Sequence, residues 1–233
     1  MRFASRDHDC HVHCAAMARA ALFDLDRTLV RKDTGTLYVK WQREVGLATT
    51  RDLVRTMYWV LQYTFGILDV HAVARRAVAT LEGKPEQTMI DECEGWFRSH
   101  VLPHVADEGR RAVARHRDAG DLVAIVTGAT PYVARPLGRE LGIDHVVSSE
   151  LEVDARGAFT GRPIDPLCYA HGKVTRAERL AREHGFELSK AVFYTDSLTD
   201  LPLLERVGEP IAVNPDPRLK RLAKRRGWRI EAW

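Results

Sequence analysis

Three short apolar runs in this chain each stop at a polar residue, and no other feature constrains the fold as tightly. Ala20-Ala21-Leu22-Phe23 meets Asp24, Leu122-Val123-Ala124-Ile125-Val126 meets Thr127, and Ala191-Val192-Phe193-Tyr194-Thr195 meets Asp196. Apolar runs that alternate with helical patterns fit a parallel sheet wrapped by helices. In such a sheet ligands bind beyond the carboxyl ends of the strands, where helix N-termini also converge. The polar residues fall at that place, so the pattern predicts an α/β, Rossmann-like fold with its chemistry at the strand ends.

With 233 residues, 45% apolar and 29% charged, the chain has room for one large domain or a domain with a smaller one inserted. This composition excludes a disordered, collagen-like or coiled-coil chain as a whole. Between the first two runs, apolar positions recur at spacings of three and four through Leu37–Val45, Leu53–Phe65, Val70–Leu81 and Met89–Val101. Gly46, Gly66 and Gly83-Lys84-Pro85 punctuate them. Val105–His116 reads as the crossover helix into the second strand, and the rest are too many for a crossover. Residues 34–100 therefore read as an all-helical cap inserted in a core of residues 17–33 and 101–233. Downstream the pattern predicts helices at Tyr132–Leu141, His171–His184, Leu201–Arg206 and Pro217–Arg226, a strand pair around Val146–Val153 and Ala158–Thr160, and a strand at Ile211–Val213.

Residues 1–16 show no period, and they read as a disordered extension ahead of Met17, a candidate start. Their His8, Cys10, His11, His13 and Cys14 are possible zinc ligands, but structural zinc sites bring together separated ligand pairs. Lys and Arg total 35 against 32 Asp and Glu, so no nucleic-acid partner is expected from the net charge of +3. The basic block Arg218, Lys220, Arg221, Lys224, Arg225, Arg226 and Arg229 fits a solvated helix face, since Leu219, Leu222 and Ala223 supply a buried side. No run approaches the roughly 18–20 apolar residues of a membrane span, so no stable membrane insertion is expected. Cys10, Cys14, Cys93 and Cys168 form no regular framework, which predicts a reducing, cytoplasmic setting.

The first run delivers Asp24 and Asp26, two carboxylates two residues apart beside a buried strand. Acids packed that closely repel unless a cation or proton intervenes, which invites a metal ion or an acid/base division of labour. Thr127-Gly128-Ala129-Thr130-Pro131 offers hydroxyl and N–H donors at a helix start, suited to an anion. Lys173 adds a positive charge after Gly172, and Asp196 and Asp200 add two carboxylates across a turn. Hard carboxylate oxygens suit Mg²⁺, so these segments together predict a phosphate and Mg²⁺ site.

These segments resemble the four motifs of the haloacid dehalogenase superfamily, in particular its phosphoserine-phosphatase-like branch with a helical cap after the first motif. The resemblance runs from about Ala18 to Trp233. It implies that Asp24 is the nucleophile and that Asp26 is the general acid and base. It implies phosphate contacts from Thr127, the Gly128 backbone and Lys173. For Mg²⁺ it implies Asp24, the Asp26 carbonyl and Asp196, with Asp200 as a nearby acid. The expected activity is hydrolysis of a small-molecule phosphate monoester through an aspartyl-phosphate.

Substrate choice is less determined. Asp33 stands where phosphoserine phosphatases carry an acid for the substrate amine, or it caps the helix that follows. The arginine that pairs with the substrate carboxylate in that branch is missing from Asp91 to Cys93, leaving Arg75, Arg76 or Arg98 as substitutes. Thr199 replaces the usual Asn, and Thr127-Gly128-Ala129 replaces Ser-Gly-Gly. An amino-alcohol phosphate such as histidinol phosphate therefore competes with phosphoserine. The aromatic run Met57-Tyr58-Trp59-Val60-Leu61 with Tyr63 and Phe65 reads as cap core and leaves a lipid-like ester open. Phosphoryl transfer to an acceptor alcohol, as in a mutase, would use the same Asp24.

Overall fold

The chain is described from a computed structural model covering residues 19–51, 54, 58 and 70–233. The expected extension over 1–16 with its His and Cys residues lies outside the described residues. So do the helix expected over Leu53–Phe65 and the aromatic run around it, apart from Val54 and Tyr58. Strands β1 (Ala20–Phe23), β2 (Leu122–Val126), β3 (His145–Val147), β4 (Leu151–Val153), β5 (Phe159–Pro163), β6 (Val192–Thr195), β7 (Glu209–Val213) and β8 (Arg229–Glu231) carry the fold. Six of them form one parallel sheet in the order β3-β2-β1-β6-β7-β8, and β4 pairs antiparallel with β5.

All four residues of β1 are buried because the strand is central and covered on both faces. Its register sets the site: Phe23 lies opposite Ile125 of β2 and Tyr194 of β6. Asp24, Thr127 and Asp196 consequently leave the sheet within one residue of one another. Alternate side chains feed two cores. Ala21, Phe23, Val123, Ile125, Val192 and Tyr194 meet helices α4 (Asp107–Asp118) and α5 (Pro131–Leu141). Ala20, Leu22, Ala124, Val126 and Phe193 meet α6 (His171–His184), α7 (Leu201–Leu204) and α8 (Pro217–Arg226).

Between β1 and α4 come α1 (Thr34–Glu44), α2 (Val70–Ala79) and α3 (Glu86–Trp96). Their Leu37, Val78, Cys93 and Trp96 join the first core without a break. The β4–β5 hairpin grips this insertion along its edge: Gly83 N–H donates to Phe159 O (2.9 Å), Phe159 N–H to Lys84 O (2.9 Å) and Glu86 N–H to Gly157 O (2.8 Å). Tyr132 Oη donates to Glu86 Oε1 at 2.9 Å, fastening α3 to the first turn of α5.

Three elements depart from expectation. The span Val146–Val153 divides: β3 joins the parallel sheet beside β2, while β4 turns into the hairpin. Ser148 and Ser149 make that break, and Ser149 Oγ accepts the Cys168 N–H at 3.1 Å. The helix expected over Met89–Val101 ends at Trp96 and continues as a π-turn over Phe97–Val101, where Ser99 Oγ donates to Gly95 O (2.8 Å). β8 pairs with β7 although its Arg229-Ile230-Glu231 carries no apolar run.

The entry to α6 fixes Lys173. Gly172 N–H donates to Tyr169 O at 2.9 Å, and Ala170 adopts φ 47°, ψ −119°. This is a turn that favours glycine at the position Ala170 fills. A Cβ on Gly172 would lie 1.9 Å from Leu167 O, so only glycine fits there. Ala170→Gly is expected to raise stability by about 1 kcal/mol, the relieved strain less the entropy that glycine adds to the unfolded chain. Gly172→Ala is expected to cost about 1–3 kcal/mol or more. Urea unfolding of the two variants checks both signs.

Candidate active site

The sheet brings three of the expected acids and the expected lysine together. Asp24 leaves β1 with its N–H donated to Tyr194 O (2.9 Å), which aims its carboxylate toward α6. Lys173, in the first turn of α6 and 3% exposed, donates from Nζ to Asp24 Oδ1 (2.8 Å) and to Asp200 Oδ2 (2.7 Å). Thr195 Oγ1 donates to the same Asp200 Oδ2 at 2.6 Å. The Phe193 ring lies 5.5 Å from the ammonium and closes the site from below. Asp196 is also buried, at the end of β6.

Asp26 turns to the other side of the loop, where its Oδ1 accepts the Thr34 N–H at 2.7 Å at the start of α1. Thr127 and Gly128 lie at the end of β2, and Thr127 Oγ1 accepts the Ala129 N–H at 3.1 Å. α5 begins at Pro131 with no side chain capping its first turn, which leaves an electropositive helix start beside Thr127. Asp33, the expected amine partner, is the N-cap of α1: its Oδ1 accepts from Thr36 N–H (2.7 Å) and Thr36 Oγ1 (2.8 Å).

Asp200, expected as an acid near the metal, accepts on Oδ2 from both Lys173 and Thr195 and so holds the lysine. Of the three arginines considered for a substrate carboxylate, two stand in ion pairs. Arg75 pairs with Asp165 at 2.8 Å and Arg98 with Glu94 at 3.3 Å, on exposed surfaces. Two residues of the site escaped sequence reasoning. Thr195 shows in the sequence only as a strand end. Asp216 caps α8 through Arg218 N–H (2.7 Å) and Leu219 N–H (2.8 Å), takes Leu198 N–H on Oδ2 (2.8 Å) and donates its own N–H to Asp196 O (2.8 Å). The signal for Asp216 was present, an acid directly before Pro217 at a helix start.

Burial dominates the electrostatics. It pushes the Asp24 carboxyl up to about 6 against the pull of Lys173, and Asp200 adds to the rise. Asp26 is pushed up to about 7 by burial, then by Asp33 and Asp24. Asp196 is raised well above the usual carboxylate range by burial and by Asp24, with Arg27 opposing. Among the described residues no three His, Cys, Asp or Glu side chains form a ready cage. The Asp24 and Asp196 carboxylates nevertheless act on each other across a buried site with more acid than base. Few hard oxygens with excess negative charge fit a cation such as Mg²⁺, which keeps waters and takes main-chain carbonyls.

Comparison with known proteins places this geometry in context. The family model for haloacid dehalogenase-like hydrolases matches residues 21–205. A histidinol-phosphatase of Neisseria meningitidis is 30% identical over 92% of the chain and 98% of its own length. A phosphoserine phosphatase of Mycobacterium tuberculosis is 33% identical over 92% of the chain and 70% of its own length. The crystal structure of a protein of unknown function from Bordetella pertussis superposes with a TM-score of 0.82 at 30% identity, covering 92% of the chain and 98% of that one.

A carboxyl whose folded-state pKa is raised holds its proton more tightly folded than unfolded, so its contribution to stability is lost as pH rises. For Asp24 the window runs from its ordinary 3.8 to about 6. In metal-free solution Asp24→Asn is therefore expected to melt above the unsubstituted protein, with the gap widening as pH rises through that window. Thermal unfolding at pH 4, 5.5 and 7 checks it, and a gap that narrows would refute the assignment.

Proposed function

The chain belongs to the haloacid dehalogenase-like hydrolases, and from that premise we propose that it is a Mg²⁺-dependent phosphatase acting on a small-molecule phosphate monoester. The observation that carries this reading is the buried Lys173 shared by Asp24 and Asp200. It positions a carboxylate as nucleophile and provides positive charge where a phosphoryl group would arrive. The names of the two relatives, histidinol-phosphatase and phosphoserine phosphatase, support the same reaction class.

In this mechanism an Asp24 carboxylate oxygen attacks phosphorus, and the bond from phosphorus to the substrate alcohol breaks, leaving an aspartyl-phosphate. Thr127 Oγ1 and the Gly128 N–H hold phosphoryl oxygens. Asp26, whose carboxyl keeps its proton up to about 7, protonates the departing alkoxide. As a carboxylate it then takes a proton from the water that attacks the aspartyl-phosphate, and inorganic phosphate leaves. The Thr34 N–H on Asp26 Oδ1 fixes the carboxyl for both transfers. Asp24, Asp196 and the Asp26 carbonyl are the residues that would hold Mg²⁺. The ion would supply charge stabilisation for the phosphoryl oxygens.

Histidinol phosphate stands beside phosphoserine as substrate. The name of the Neisseria relative supports the first and that of the Mycobacterium relative the second. Phosphate release from a panel of monoesters with Mg²⁺ tests the proposal. Asp24→Asn is expected to lower the rate by at least about 10³-fold, Asp26→Asn by about 10²–10⁴-fold, and chelation to abolish it. Release that persists in Asp24→Asn would refute the covalent mechanism, and no release from any ester would refute the phosphatase.

A further inference from the structure

A concavity of about 490 Å³ lies beside the acid loop, with Arg27, Arg31, Lys32, Lys40, Asp33 and Trp233 among its walls. Resting on the phosphatase reading, we propose that this pocket receives a second anionic group on the alcohol part of the substrate, a carboxylate or a further phosphate. Lys32 and Lys40 set that preference.

Four cations reach the pocket from two directions. Arg27, Arg31 and Lys32 come from the loop after Asp26, and Lys40 comes from α1. On α1 the wall positions Asp33, Thr36, Leu37 and Lys40 recur at spacings of three and four, so one helix face lines the cavity. The negative charge there is smaller and largely engaged. Arg31 is matched by Glu108 at 3.0 Å, and Asp33 spends Oδ1 on capping α1. Lys32 and Lys40 are solvent-exposed on the rim.

The pocket adjoins the reacting groups. Arg27 directly follows Asp26, and Asp33 directly precedes Thr34, whose N–H donates to Asp26 Oδ1 at 2.7 Å, so both walls border the acid loop. A phosphoryl group at Asp24 would therefore leave the remainder of the ester facing these cations. The far wall is held in place: Asn214 Oδ1 accepts the Trp233 N–H (2.9 Å), and Asn214 Nδ2 donates to Trp233 O (3.2 Å). Trp233 and Leu37 offer apolar surface to a carbon skeleton between the two anionic ends. Arg75 and Arg98 stand in exposed ion pairs with Asp165 and Glu94.

The test compares esters that differ by one anionic group: O-phosphoserine against O-phosphoethanolamine, and fructose 1,6-bisphosphate against fructose 6-phosphate. Dissociation constants are measured by calorimetry on Asp24→Asn protein, where turnover is blocked, with and without Lys32→Gln and Lys40→Gln. The expected result is about tenfold tighter binding of the more anionic member of at least one pair, falling to within about twofold when both lysines are replaced. Preference in the first pair identifies a carboxylate, and preference in the second a phosphate. Equal affinities within both pairs, binding of none of the esters, or a preference that survives both substitutions overturns the proposal. Phosphate release from p-nitrophenyl phosphate by the unsubstituted protein is read separately, so a failure of the phosphatase reading is not mistaken for a failure of the pocket.

Discussion

One buried ammonium organises the strand ends of this protein. Lys173 lies between two carboxylates, and each of the three groups would be costly to bury alone. Removing the lysine would leave buried carboxylates with no opposite charge, a loss of about 3–5 kcal/mol. The arrangement is thus self-enforcing: the sheet can close with these acids inside because the lysine arrives, and the lysine can be buried because they wait for it. Asp24 is left with a carboxylate anchored on one oxygen and a raised affinity for protons or cations.

Much of the surrounding backbone exists to deliver that ammonium and the acids to one point. The turn at Tyr169–Gly172 accepts a left-handed alanine and a carbonyl pressed against a glycine so that α6 can begin where Lys173 needs it. Asp216 ties the loop after β6 to the end of β7 while capping α8, so one side chain sets the position of two strand ends. Thr195 fixes the other partner of the lysine. Strain and buried polarity gather around the candidate site, while the flanking helices are regular amphipathic packing.

The legible and illegible parts of the sequence separate along physical lines. The ranges His171–His184 and Pro217–Arg226 were readable to the residue because each ends at a left-handed glycine, Gly185 and Gly227, and the second begins at a capped proline. Asp24, Thr127 and Asp196 were readable because each ends an apolar run in a central strand. β8 was not, because an edge strand takes its place from the pairing offered by β7 rather than from its own composition. The break between β3 and β4 depends on Ser149 bonding to Cys168, a contact between residues distant in sequence. Asp33 shows the limit most sharply: an acid facing a substrate amine and a helix cap are both compatible with its place in the sequence, and only geometry shows that it caps α1 and also lines the neighbouring pocket.

The pairing of Asp24 with Lys173 spans 149 residues. Its central strand also has distant partners, β2 and β6, so no local hairpin can form it early. Contacts of this reach are assembled late and slowly, because the closure entropy of a long loop is lost before the contact is gained. The charge cluster is accordingly a seal on completed folding. A nascent or partly unfolded chain carries the same residues but cannot set them opposite one another, and activity at this site counts only molecules in which β1, β6 and α6 have come together.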